Sequence, residues 1–395
     1  MTLYRKICKV RLLCVLYELL RWTWHTCTAW WPEKTPVWYR FSDHKFCPGA
    51  MKYRLTRPLY RHEHVYYNFD RALQTDASVK GFAFIFFMGI GDYLYTTPLW
   101  EALKKKYPML PFYAYVGAQM DRTNSPLVGK LLTENPNFEK VFYFNGSRHP
   151  LIWKNYDYED AFSHIPPGFL AVPVYYDYRL SVPHRVASLF ETFGLPVPDV
   201  LPVPQMYFPP VAAPVVKNLL QTVESKLTGK KGIVFLQLDS RGSNYTYPHM
   251  RELANGLIRE GYVVLSVTPG GPVEEDNYIE IDIRQLSINQ TWQLLSLLKA
   301  KAPLYVISVN SVFWAASAGL ELPNLGLQHW IDPKVHNLWY PNIEVITNHF
   351  YAMLPREKQI IAPPDSYTRH NRKIVDYKPQ FILRCFLEKF GSKEI

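Results

Sequence analysis

Cysteine is scarce in this 395-residue chain, and the five present (Cys8, Cys14, Cys27, Cys47 and Cys385) are odd in number with no C-x-x-C pair. A disulfide scaffold is thereby excluded, and a reducing compartment fits better. His25-x-Cys27 and His44-x-x-Cys47 are only loosely finger-like. Thiols scattered through an apolar segment are commoner than such a zinc site, so no metal is expected there; no cofactor is expected either. Long apolar runs are also missing: none reaches the ~18 residues that cross a bilayer, which excludes a polytopic membrane protein. Residues 7–24 are Leu-rich, but Lys9, Arg11, Glu18 and Arg21 interrupt them, and no small-x-small cleavage site follows. No repeat of solenoid period occurs. With 48% apolar and 20% charged residues, the chain is not of disordered composition.

Charge is present, and unevenly placed. Of the net +10, residues 1–80 carry 14 Lys+Arg against 6 Asp+Glu, a net of +8. Residues 81–354 have a net of −2 and residues 355–395 a net of +4. A nucleic-acid enzyme would carry its basic stripe on the working body, so no nucleic-acid partner is expected. The N-terminal residues, with Trp22, Trp24, Trp30 and Trp31, suit a helix lying on an anionic membrane surface, or one packed on protein. Residues 32–80, with Pro32, Pro36, Pro48 and Pro58, read as an irregular connector without chemistry.

From Gly81 the pattern alternates. Gly81–Met88 is a continuous apolar run of buried-strand type, followed by a helix over Tyr93–Lys106, a strand at Phe112–Val116, a helix at Pro126–Glu134 and a strand at Lys140–Phe144. After a further strand and helix, the proline-rich Leu195–Pro214 reads as a linker. A second series follows, with strands at Gly232–Leu238, Tyr262–Val267, Leu304–Val309 and Asn324–Leu327 between helices. Such alternation predicts an α/β chain with two Rossmann-like halves and a ligand cleft at the carboxyl ends of their strands. The expected division is a basic aromatic extension (1–80), a first half with linker (81–212), a second half (213–345) and a tail (346–395). That tail ends in an amphipathic helix, Pro379–Phe390, that packs on the first half or touches membrane.

Glycines between a buried strand and a helix, as in Gly89-Ile90-Gly91-Asp92, let a backbone approach a ligand closely. The pattern is neither G-x-G-x-x-G nor a Walker loop. Asp92 at the helix start reads either as an N-cap or as a base that deprotonates an acceptor hydroxyl.

The fragment Gly91-Asp92-Tyr93-Leu94-Tyr95-Thr96-Thr97-Pro98, with Leu103 and Tyr107-Pro108, resembles the heptosyltransferase family of bacterial inverting glycosyltransferases. Three further pieces follow in the family's order. They are Asn135-Pro136-Asn137-Phe138-Glu139-Lys140-Val141; Asp239-Ser240-Arg241 with Tyr247-Pro248; and Val309-Asn310-Ser311 with Ala315-Ala316-Ser317-Ala318-Gly319, Pro323 and Asp332-Pro333. The resemblance spans about residues 81–345. It implies a GT-B-like fold of two facing Rossmann-like domains, and transfer of a sugar from a nucleotide-sugar donor to a glycan or glycolipid acceptor of lipopolysaccharide or capsule type. It further implies inversion without a metal, Asp92 as catalytic base, and an acceptor loop with Gly89, Gly91 and Thr96. Ser240, Arg241, Asn310, Ser311 and Val312 would hold the donor. The expected place is the cytoplasm, peripheral at the inner face of the membrane. Departures are specific: Ser243-Asn244-Tyr245-Thr246 stands where the family carries a Lys a few residues after the Arg, and Asn310, Val312 and Trp314 or Ala315 stand where it carries Asp, Gly and His. These favour, as the alternative, a catalytically weak GT-B fold serving as a binding or scaffold subunit.

Overall fold

The computed structural model describes residues 49–57, 60–86, 89–117, 125–144, 163–174, 184–239, 246–268, 276–282, 285–328, 340–348, 359–363, 366 and 376–391. In chain order the elements are β1 Gly49–Arg57, β2 Tyr60–Tyr67, α1 Phe69–Thr75, β3 Gly81–Phe86, α2 Ile90–Lys106, β4 Phe112–Gly117, α3 Ser125–Thr133 and β5 Lys140–Phe144. There follow β6 Phe169–Pro173, α4 Arg185–Thr192, α5 Pro214–Glu224, β7 Gly232–Gln237, α6 Met250–Arg259, β8 Tyr262–Ser266 and β9 Tyr278–Glu280. The chain continues with α7 Ile288–Lys299, β10 Leu304–Val309, α8 Val312–Gly319, β11 Asn324–Leu327, β12 Ile343–Asn348, β13 Gln359–Ala362 and α9 Pro379–Phe386, which runs into a π turn at Leu387–Gly391. The chain forms two compact units with interleaved sequence. One is drawn from Met1–Phe87, Ala102–Met120 and Phe138–Asp199, the other from Met88–Glu101, Asp121–Asn137 and Val200–Ile395.

The first unit is built on a parallel four-stranded sheet of order β5-β4-β3-β6. β3 is buried along its whole length, as its unbroken apolar run requires. Its phenylalanines sit in an aromatic cluster, with Phe69–Phe82 edge to face at 4.8 Å and Phe84–Phe112 at 5.1 Å. Each such pair adds about 0.5–1.5 kcal/mol beyond the area it buries. Residues 49–75 are not an irregular connector: β1 and β2 pair as an antiparallel hairpin, and α1 follows. The apolar–polar alternation there is too weak to read as strands. The core shows why they are kept, since Tyr67 and Phe69 deliver rings against Phe193 at 5.3 and 6.0 Å.

The second unit holds a parallel seven-stranded sheet of order β13-β12-β11-β10-β7-β8-β9. β12 and β13 extend the sheet past the elements read from the sequence. One face buries Leu253, Ala254 and Leu257 of α6 with Ile382, Cys385 and Phe386 of α9. The C-terminal helix thus packs within the second unit, not on the first half, and its aromatic face is spent on protein. Gly256 is the contact point, where a Cβ would stand 3.0 Å from the flexible end of Leu383. Helix α8 covers the other face. Among the described residues no helix is long and apolar enough to cross a membrane.

In each sheet the chain reverses its direction of strand addition, between β3 and β6 in the first and between β7 and β10 in the second. Ligand crevices of open α/β sheets form at the carboxyl ends of such strands. Close packing of α8 on β11 is one test of this architecture. A Cβ on Gly326 would lie 2.9–3.0 Å from the indole of Trp314, which is buried and anchored through Nε1 to the Ser308 carbonyl. Gly326→Ala is therefore expected to cost about 1–3 kcal/mol in urea unfolding, the usual range for overpacking. An unchanged midpoint would show that α8 shifts freely.

Candidate functional site

Helix α2 begins three residues earlier than its apolar periodicity indicates. The carbonyl of Gly89 accepts from Tyr93 N at 2.9 Å, so Gly89 occupies the cap and Asp92 lies inside the first turn. The N-cap explanation of Asp92 is thereby removed, and its carboxylate stands where the helix dipole favours negative charge. Thr96 does not belong to an acceptor loop. It is fully buried within α2, where its hydroxyl donates to the Tyr93 carbonyl and accepts from Trp100 Nε1.

Pro98 sits inside the helix and has no N–H for the carbonyl of Leu94. The hydroxyl of Thr97 supplies that bond at 2.7 Å and accepts one from Gln205 N at 2.7 Å. The Asn-Pro-Asn stretch braces the same helix. Asn135, buried, donates to Tyr93 Oη at 3.2 Å, and its carbonyl oxygen accepts from Asn137 N and Nδ2. Asn137 donates on to Tyr207 Oη, whose hydroxyl donates to Glu101 of α2 at 3.0 Å. Burial pushes the Tyr93 phenol up, so it stays a neutral member of this brace. These motif residues are here structural: they hold the helix that carries Asp92.

The second cluster lies where β7 and β10 end, at the sheet's reversal. Ser311 caps α8, its Oγ accepting from Phe313 N at 3.2 Å and donating to Gln237 Oε1. Gln237 donates in turn to the Asp239 carbonyl, and Asp239 accepts from Thr246 Oγ1. The Ser311 hydroxyl is thus committed to the cap, and a ligand here would meet the backbone at Asn310–Val312. Gln237 was not picked out in the sequence, since a polar residue ending an apolar strand has no pattern of its own. Tyr247 proves to be core, its hydroxyl donating to the Tyr377 carbonyl at 2.9 Å.

Gly91 meets this cluster. A Cβ built on it would lie 3.4 Å from Val312 Cα and 3.7 Å from Val312 N, so the turn that carries Asp92 packs directly on the first residue of α8. Gly89, Gly91 and Asp92 are thereby brought together with Asn310, Ser311 and Val312. Ser240 and Arg241 lie outside the described residues, as do Asp332-Pro333 and the His25/Cys27 and His44/Cys47 pairs.

No protein-family model and no curated protein matches the chain. Solved structures do. A glycosyl transferase family 9 protein from Veillonella parvula matches at 12% identity and a TM-score of 0.52, over 78% of this chain and 96% of that one. ADP-heptose LPS heptosyltransferase II of E. coli matches at 15% identity and 0.52, over 80% and 100%. In fold, the chain resembles the heptosyltransferases. Its two parallel sheets are those of a GT-B-like α/β protein. The expectation of a metal-free protein is withdrawn. A structure that also matches, at 10% identity and a TM-score of 0.38 over 82% of this chain and 71% of that one, is an iron-containing dodecameric glycosyltransferase, TibC, from enterotoxigenic E. coli. Among the described residues no three His, Cys, Asp or Glu side chains come together as a metal set.

One acid near the brace has a shifted titration. Burial raises Glu134, and the bond it accepts from Asn289 Nδ2 offsets this only in part. A carboxyl raised on folding favours the folded state at low pH, and that contribution is lost as pH rises through the raised value. Glu134→Gln is expected to melt higher than wild type at pH 7–8, with the difference vanishing near pH 4. A lower melting temperature at pH 8 would show that the carboxylate is favoured where it stands.

Proposed function

We propose that this protein is a glycosyltransferase that moves a sugar from a nucleotide-sugar donor onto a hydroxyl of a glycan or glycolipid acceptor of lipopolysaccharide type, with inversion. The observation that carries the reading is the packing of Gly91, the residue before Asp92, on Val312 at the N-terminus of α8. A helix N-terminus suits a diphosphate, because its unpaired N–H groups and dipole favour negative charge.

In the reaction, Asp92 takes the proton of the acceptor hydroxyl as that oxygen bonds to the anomeric carbon. The bond from that carbon to the diphosphate breaks on the opposite side, and the nucleoside diphosphate leaves with the electron pair. Backbone at Asn310–Val312 faces the charge that grows there, with Arg241 the proposed side-chain cation on sequence grounds. The likeness in fold to the E. coli heptosyltransferase supports a nucleotide-sugar donor. Basic, aromatic residues 1–80, with a net of +8, suit attachment to the anionic surface where glycolipids are built.

Nucleoside diphosphates are expected to raise the melting temperature of the protein, and Asp92→Asn to lower turnover by ~10²-fold or more with that shift retained. Absence of stabilisation by ADP, UDP or GDP would sink the transferase reading. Diphosphate binding with no turnover in wild type would favour a binding subunit instead. For the membrane claim, the protein is expected to float with vesicles containing anionic lipid and not with neutral ones, and equal partitioning would refute it.

A further inference from the structure

The face of the second sheet beneath α8 can be followed residue by residue toward its carboxyl edge. Asn324, at the start of β11, donates to Ser317 Oγ at 2.8 Å. Two residues on, Gly326 lies against Trp314. Alternate side chains of a strand share a face, and each two-residue step advances about 6.6 Å. The same step carries the next residue of that face, Gln328, to the Ser311 end of α8. The register across the sheet agrees. Val309 pairs with Leu327 and Leu327 with Ile346, so one residue further Asn310, Gln328 and Thr347 form a row across three adjacent strands. The opposite face is the apolar one, with Leu325, Leu327 and Ile346 in the core under α6 and α9.

Gln328 and Thr347 are both fully buried. The main chain of Gln328 is satisfied: its N–H donates to the Ile346 carbonyl at 3.0 Å, and its carbonyl accepts from Tyr377 Oη at 2.7 Å. Its side chain is not. Neither Nε2 nor Oε1 of Gln328, nor Oγ1 of Thr347, has a hydrogen-bond partner among the described residues. Buried polar groups without partners each cost about 1–3 kcal/mol, so two neighbouring ones beside a helix N-terminus call for an explanation.

We infer that Gln328 and Thr347 form a polar subsite that binds hydroxyl groups of the donor's sugar while the diphosphate lies at the N-terminus of α8. The inference rests on the nucleotide-sugar reading and adds the residues that select the sugar. An amide offers two donors and an acceptor, and a hydroxyl one donor with acceptor lone pairs, which together match neighbouring sugar hydroxyls. Neither residue carries charge, so the pair suits a neutral glycosyl group rather than the phosphates.

The test uses Gln328→Leu and Thr347→Val, which keep size and remove hydrogen bonding. Without nucleotide, both variants are expected to melt at or above wild type, since an unpartnered buried polar group is lost. Calorimetric titration with ADP, UDP and GDP identifies the preferred base, and the matching ADP-glucose, UDP-glucose or GDP-mannose is then compared. Each variant is expected to bind the diphosphate within about twofold of wild type and the sugar nucleotide at least about tenfold more weakly. Equal weakening for both ligands, or none for the sugar nucleotide, overturns the subsite while leaving the transferase reading intact. A melting temperature well below wild type would also overturn it, by showing that the two groups serve the fold. If no nucleotide binds wild type, the transferase reading falls, and the sugar subsite with it.

Discussion

Pro98 removes one hydrogen bond from the middle of α2, and much of the candidate site follows from how that loss is made good. Thr97 covers the orphaned Leu94 carbonyl and at the same time accepts from Gln205 N. The linker is thus fixed at Gln205, and its neighbour Pro204 presses its carbonyl against α8. A Cβ on Gly319 would stand 2.4 Å from that oxygen, so only glycine fits there. Helix α8 returns at its other end to Gly91, the second residue of α2. A closed circuit of α2, linker and α8 therefore sets the position of Asp92 relative to the Asn310–Val312 turn.

This circuit changes the weight of the motif residues. Thr96, Thr97, Pro98, Asn135 and Asn137 are buried or braced, and their bonds are taken up within the protein. They hold the frame, and chemistry is left to the few groups at its edge. Asp92 lies in the first turn of α2, while Ser311 is already occupied as a cap. An anion held at α8, as proposed, would meet backbone N–H groups, so Asn310 and Val312 need not supply side-chain contacts. Backbone groups survive side-chain replacement as long as the helix start is kept.

Much of the fold could be read in advance because buried parallel strands have a one-dimensional signature. Gly81–Phe86, Leu304–Val309 and Asn324–Leu327 are mostly apolar and almost wholly buried, since both faces are covered. The β1–β2 hairpin was missed because its strands are polar and aromatic without clean alternation. β12 and β13 were missed as well, and β13 is only four residues long. Of the candidate site residues, Gly91 and Asp92 stood out as a glycine and an acid at a strand-to-helix junction, and Asn310 and Ser311 through the family resemblance. Gln237, Gln328 and Thr347 did not, because a lone polar residue at a strand end looks like the beginning of any loop.

Sequence by itself determined the two alternating α/β series, the proline-rich stretch Leu195–Pro214 and the uneven charge, since each is a property of neighbours along the chain. Only the tertiary structure decided that residues 88–101 pack with the second unit, that the C-terminal helix lies on α6, and that Asn310, Gln328 and Thr347 stand in one row. Those facts depend on strand register and on which helix meets which glycine. Such contacts join residues far apart in the chain, where no local pattern records the distance.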